Sequence, residues 1–172
     1  ASKRFNLNAQ KTLDICQQLY ERHKLITYPR SDCRYLPSGH YNDRHTVTAS
    51  IAKTASSLAK AMAEADLSLK SKAWNDSKVS AHHAIMPTAR GREGSRLTQD
   101  EKNIYELIAR QYLMQFYPPF EYAEHQIDNE VEGGFFIAKQ KSVIAQGWKA
   151  LLPGSTKPDQ KDEFASQALP AL

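Results

Sequence analysis

Cysteine is scarce in this chain: only Cys16 and Cys33 occur in 172 residues. Two are too few for a disulfide framework, and their positions offer no close C-x-x-C pair for zinc. They read as buried or free thiols in a reducing cytosol. No apolar run approaches the length of a membrane span, and no signal-peptide pattern opens the sequence. There is no internal repeat. The chain begins at Ala1 without methionine, which reads as a piece of something longer.

What is present fits one sizeable core, or a domain plus part of another. Apolar residues make up 41% and charged residues 24%, the proportions of a globular protein. The net charge of +4 pulls mildly toward a polyanionic partner. Asn8 can cap a helix over about residues 9–23, with Ala9, Leu13, Cys16, Leu19 and Tyr20 on its buried stripe. Residues 37–45 read as loop. Residues 46–65 read as one alanine-rich helix with Val47, Ile51, Ala55, Leu58 and Met62 on one face. Residues 67–80 are polar and irregular around Trp74.

The T-x-x-E pattern of Thr98 and Glu101 is a capping box, opening a helix to about Tyr117 with Ile104, Leu107, Ile108 and Tyr112 inside. Pro118 and Pro119 end it. The pattern then changes to period two, and Gly133-Gly134 reads as the turn of an antiparallel hairpin between residues 120–132 and 135–146. The fold class expected is α+β: a helix-rich domain over 1–118 with one short strand, a hairpin over 119–152 beginning a second β-rich domain, and a polar, partly mobile tail over 153–172.

The short strand is the chemically interesting stretch, K-L-I-T-Y-P-R-S-D-C-R-Y-L-P over residues 24–37. Leu25 and Ile26 lead into Tyr28, and Pro29 ends the pairing because it has no N–H to give. Alternate side chains of an extended segment share a face, so Tyr28, Arg30 and Asp32 are expected on one side. A phenol, a guanidinium and a carboxylate there suit phosphate chemistry. Tyrosine can form a covalent intermediate, although its ordinary pKa of about 10 keeps it protonated without help. Arginine can grip a phosphate with two parallel hydrogen bonds. The alternative is a packed tyrosine with Arg30 and Asp32 as a solvated ion pair.

A second motif is S-A-H-H-A-I-M-P-T over residues 80–88. Neighbouring residues diverge, so one of His82 and His83 should look inward and the other outward. One of them could donate to a phosphate oxygen beside Tyr28, or both could be ordinary core and surface histidines. The basic stretch A-R-G-R-E-G-S-R that follows reads as a mobile loop in which Arg90, Arg92 and Arg96 either contact a polyanion or are solvated surface charge.

L-I-T-Y-P-R-S-D followed about fifty residues later by A-H-H-A-I-M-P-T resembles the active-site half of the type IA DNA topoisomerases. F-N-L-N-A-Q-K-T-L-D-I-C-Q-Q-L-Y-E is similar to the helix that precedes the catalytic tyrosine in that family, and the resemblance runs from Phe5 to about Leu152. Proline after the tyrosine and the double histidine are similar to the bacterial topoisomerase III branch. The resemblance implies that Tyr28 attacks a backbone phosphate of single-stranded DNA and takes the 5′-phosphoryl end, leading to relaxation or decatenation. It assigns Arg30 to the scissile phosphate and His82, aligned with the family's single active-site histidine, to a second contact. Asp32, Arg34, His83 and Arg90 are the further DNA-binding candidates.

The same resemblance implies that parts are absent. The family's Mg²⁺ cofactor is bound by an acidic cluster that includes D-x-D, and this chain contains no D-x-D. The metal site is expected on the remainder of the topoisomerase chain, leaving this piece inactive alone. The implied partners are single-stranded DNA and that remainder, with no membrane. A monomer in the bacterial cytoplasm, on nucleoid or plasmid DNA, is the expected setting. The competing function is a single-stranded nucleic-acid-binding module in which Tyr28 only stacks on a base.

Overall fold

The computed structural model describes residues 1–91 and 97–153. The chain divides into two compact units, the first Ala1–Tyr117 and the second beginning at Pro118. The fold is α+β. In the first unit, helices α1 (Ser2–Phe5), α2 (Ala9–Glu21), α3 (Arg44–Thr54), α4 (Ala59–Glu64) and α5 (Gln99–Leu113) are joined by irregular chain and short 3₁₀ turns. None of the described helices is long and apolar enough to cross a membrane.

α2 starts where Asn8 accepts a hydrogen bond from the Lys11 amide, 2.8 Å. It packs against α5. Its fully buried residues are Ile15, Cys16 and Leu19. The stripe is turned from the expected one: Ala9 is exposed, while Leu13 and Tyr20 are half-buried. Both cysteines are free, and burial pushes the Cys16 thiol up.

The expected single helix over 46–65 is in fact two. It breaks at Ala55 (φ −134°, ψ 74°), and a 3₁₀ turn over Ser56–Leu58 leads into α4. Alanine propensity favours continuation, but local hydroxyls compete with the helix ladder. Thr54 donates back to the Ser50 carbonyl, 3.0 Å, and Ser57 donates to Glu106 of α5, 2.8 Å. The break still buries Ala55 and Leu58.

α5 carries the complete capping box expected of Thr98 and Glu101. Its buried positions are Ile104, Tyr105, Ala109, Tyr112 and Leu113, with Leu107 and Ile108 half-buried beside them. Burial raises the Tyr105 phenol to about 12, against a weaker opposing pull from the hydroxyls of Thr54 and Ser50. Trp74, Tyr112 and Phe116 meet edge-on or tilted, with ring centroids 5.2–6.1 Å apart, and close the core where the helix tightens into a 3₁₀ turn.

The second unit contains an antiparallel pair, β1 (Glu121–Val131) and β2 (Gly134–Ala145). The loop is Glu132-Gly133, one residue earlier than expected, and Gly134 already pairs with Val131. Glu132 (φ 50°) and Gly133 (φ 79°) are both left-handed, the geometry that matches a hairpin turn to the twist of its strands. The register slips once, between Glu121 and Tyr122. The expected polar tail lies almost wholly outside the described residues, as do Arg92 and Arg96 of the basic loop.

Candidate active site

At the end of α2 the chain turns sharply. Lys24 adopts a left-handed conformation (φ 57°), and the Leu25 amide reaches back to the Leu19 carbonyl, 2.9 Å. Leu25 and Ile26 are then almost wholly buried, which fixes the departure of the following residues.

The expected strand over 25–28 is reduced to a single bridge, Ile26 against Pro87. Pro29 stops the segment, and the amides that would extend the ladder go elsewhere, Leu25 to the Leu19 carbonyl and Met86 to the Thr27 hydroxyl. Two backbone bonds make the bridge, and two side-chain bonds reinforce it. The Thr27 amide donates to the Met86 carbonyl and the Thr88 amide to the Leu25 carbonyl, each 2.9 Å. The Met86 amide donates to the Thr27 hydroxyl, 3.0 Å, and the Thr88 hydroxyl to the Lys24 carbonyl, 2.6 Å. The two sequence motifs are thus tied directly to each other.

That tie brings Tyr28 and His82 together. Their ring centroids are 4.8 Å apart, and the other neighbour of Tyr28 is Tyr20 of α2, edge-on at 5.7 Å. Tyr28 remains 39% exposed, enough to be reached from solvent. Arg30 donates to Gln17, one turn before Tyr20 on α2, at 3.3 Å. Tyr28 and Arg30 therefore both lean on α2. The alternative ion pair is not seen, since Arg30 turns to Gln17 rather than to Asp32. Asp32 and Arg34 lie exposed farther along the segment.

The histidines diverge. His82 is the exposed one and is the one against Tyr28. His83 is half-buried, 5.1 Å from the ring of His40, with its Nδ1 2.8 Å from the Ala84 carbonyl. A carbonyl can only accept, so Nδ1 carries the proton. Arg90 is exposed and shares a cleft with Tyr28.

Sequence reasoning missed Gln17, Tyr20 and Lys24 as parts of this site. Tyr20 looked like a core residue because its helical spacing is that of the buried stripe. It also missed His23, whose Nε2 lies 2.9 Å from Glu101 in the core. The Glu101 carboxylate also accepts from the Thr98 amide and hydroxyl, at 2.7 and 2.9 Å. Burial alone would raise this carboxyl, but the Thr98 and His23 hydrogen bonds outweigh it and hold it below its ordinary value. Among the described residues no group of three or more His, Cys, Asp or Glu is placed to hold a metal ion.

The exposed Tyr28 thus has His82 against its ring, and Arg30 two residues on is held to α2 through Gln17. The chain belongs to the DNA topoisomerase family, which it matches over residues 1–172. It is 51% identical to the DNA topoisomerase 3 of Vibrio cholerae over 170 residues, covering 99% of this chain and 26% of that protein. Identity to the DNA topoisomerase 3 of Haemophilus influenzae is 51% over 152 residues, covering 88% of this chain and 23% of that protein. The DNA topoisomerase 3 of Bacillus subtilis is 38% identical over 175 residues, covering all of this chain and 24% of that protein. The chain therefore spans about a quarter of the length of these relatives.

Proposed function

We propose that this chain is the catalytic-tyrosine portion of a type IA topoisomerase, an isomerase that cleaves and religates single-stranded DNA. The Tyr28 oxygen attacks a backbone phosphorus as the phenol gives up its proton, forming a phosphotyrosine bond to the 5′ end, while the bond to the 3′ oxygen breaks and that oxygen leaves with the electron pair and takes up a proton as a 3′ hydroxyl. Religation reverses the exchange. One phosphodiester replaces another, so no ATP is required, and passing a strand through the break relaxes or decatenates DNA.

The observation that carries this reading is the joining of the two motifs, which sets His82 against an exposed Tyr28. In this reading Arg30 and His82 hold the scissile phosphate and stabilise charge building on its oxygens. Asp32, Arg34, His83 and Arg90 position the flanking DNA. Mg²⁺ binds to the remainder of the polypeptide rather than to these residues. The working protein is a monomer in the bacterial cytoplasm, acting on nucleoid or plasmid DNA.

The test uses the intact polypeptide that carries this chain, incubated with Mg²⁺ and single-stranded DNA and quenched with detergent. Protein covalently attached to DNA is expected, and Tyr28→Phe should bind DNA but give no adduct. Adduct formation by Tyr28→Phe would overturn the mechanism. Binding without adduct in the unaltered protein would favour a stacking module.

A further inference from the structure

A cleft of about 540 Å³ opens beside Tyr28, within the size range of small-ligand sites. Tyr20, Ile26, Tyr28 and Ala89 contribute apolar wall, while Lys24 and Arg90 stand at its lining with exposed cations. Neither cation has an ion-pair partner among the described residues; Lys24 lies over the Tyr20 ring, 5.6 Å from its centroid. Two threonines also line the cleft, but their hydroxyls are engaged within the protein. Thr27 accepts from the Met86 amide, and Thr88 bonds the Lys24 carbonyl and the Arg90 amide.

We infer that this cleft receives the sugar and base of the nucleotide whose 5′ phosphate becomes bonded to Tyr28, an inference that rests on the proposed strand cleavage. Tyr28 is a wall of the cleft, so a nucleotide held on its oxygen has this apolar space next to it. The Tyr20 ring offers a surface against which any base can pack, since every base has a π face. Lys24 and Arg90 suit the adjoining phosphates. The Thr88 hydroxyl is already committed, donating to the Lys24 carbonyl and accepting from the Arg90 amide. Stacking on Tyr20 is indifferent to which base is present, so the cleft retains the cleaved end without selecting its sequence.

The experiment uses the intact polypeptide and oligonucleotides with a single cleavage site. The nucleotide immediately 3′ of the scissile phosphate carries each of the four bases in turn, or none. The expected result is similar adduct yield with all four bases and a loss of roughly tenfold with the abasic substrate, the scale of one lost stacking contact. Ala89→Trp, at an exposed position, should fill the cleft, lower adduct formation on natural DNA, and abolish the difference between abasic and natural substrates. Equal cleavage of abasic and natural DNA by the unaltered protein overturns the inference, as does an undiminished abasic penalty in Ala89→Trp. Those outcomes leave strand cleavage standing. Absence of any Tyr28-dependent adduct on every substrate overturns the proposed function and this inference with it. The substrate arm needs no variant, so it decides the matter even if Ala89→Trp folds poorly.

Discussion

His23 Nε2 lies 2.9 Å from Glu101 Oε1, with both side chains buried, joining the chain just beyond α2 to the first turn of α5. The residue after His23 is the left-handed Lys24 that launches the segment toward Tyr28. This contact ties the platform of the candidate site to the core.

Removing the histidine should therefore be costly. His23→Ala leaves Glu101 buried with part of its hydrogen bonding gone, and about 3 kcal/mol of destabilisation is expected. Equilibrium urea denaturation measures it.

Acidification should act on the same contact. Glu101 is held below its ordinary carboxyl value in the folded chain. Its ionisation thus contributes stability that is fully present above the unfolded carboxyl pKa and is lost as pH falls through the lower folded value. Glu101→Gln should be less stable at neutral pH and should flatten that part of the acid limb. Thermal melts at stepped pH provide the comparison.

The groups around Tyr28 should separate by role. Arg30→Ala removes a donor aimed at developing charge, so cleavage should fall about a hundredfold with some activity left. His82→Ala should behave similarly. His83→Ala should be milder in rate, because His83 faces His40 and the Ala84 carbonyl, with about 1 kcal/mol lost in stability from the ring contact. Single-turnover adduct formation ranks the three. A larger rate loss at His83 than at His82 would reverse their assignment.

Two left-handed glycines of the second unit should respond differently to alanine. Gly133 (φ 79°) has open space around a built Cβ, so Gly133→Ala should cost only the backbone strain, about 1 kcal/mol. Gly147 (φ 47°) adds a collision with the carbonyl oxygens of Pro118 and Pro119. Gly147→Ala must displace that backbone and should lose protection of the Trp148 amide, which donates to Pro118 at 2.9 Å. Amide hydrogen exchange in the two variants distinguishes strain from displacement.

The helices of α2 and α5 were legible because Asn8, Thr98 and Glu101 announce their starts and their apolar residues recur at helical spacing. The hairpin was legible from the change to period two, although the turn settled on Glu132-Gly133, where a non-glycine residue accepts φ 50°. The break at Ala55 was not legible. It depends on Ser57 reaching Glu106, a partner far away in sequence. The candidate site follows the same division. Tyr28, Arg30 and the histidines declared themselves by motif, whereas Gln17 and Tyr20 became visible only when α2 was placed beneath them. His23 gave no signal because a lone histidine after a helix does not reveal a buried carboxylate about eighty residues on.

The rungs between residues 24–27 and 86–88 have a mechanical consequence. If Tyr28 bears a broken DNA end, tension on that end enters the protein beside a seam fastened at Thr27, Leu25 and Lys24 together. The bonds of that seam stand between the pull and the chain beyond it, whereas a free loop would pass the pull straight on. The loop between the two motifs is thereby shielded from the pull, and His82 is carried along with the phenol instead of being left behind when the severed strand is drawn away.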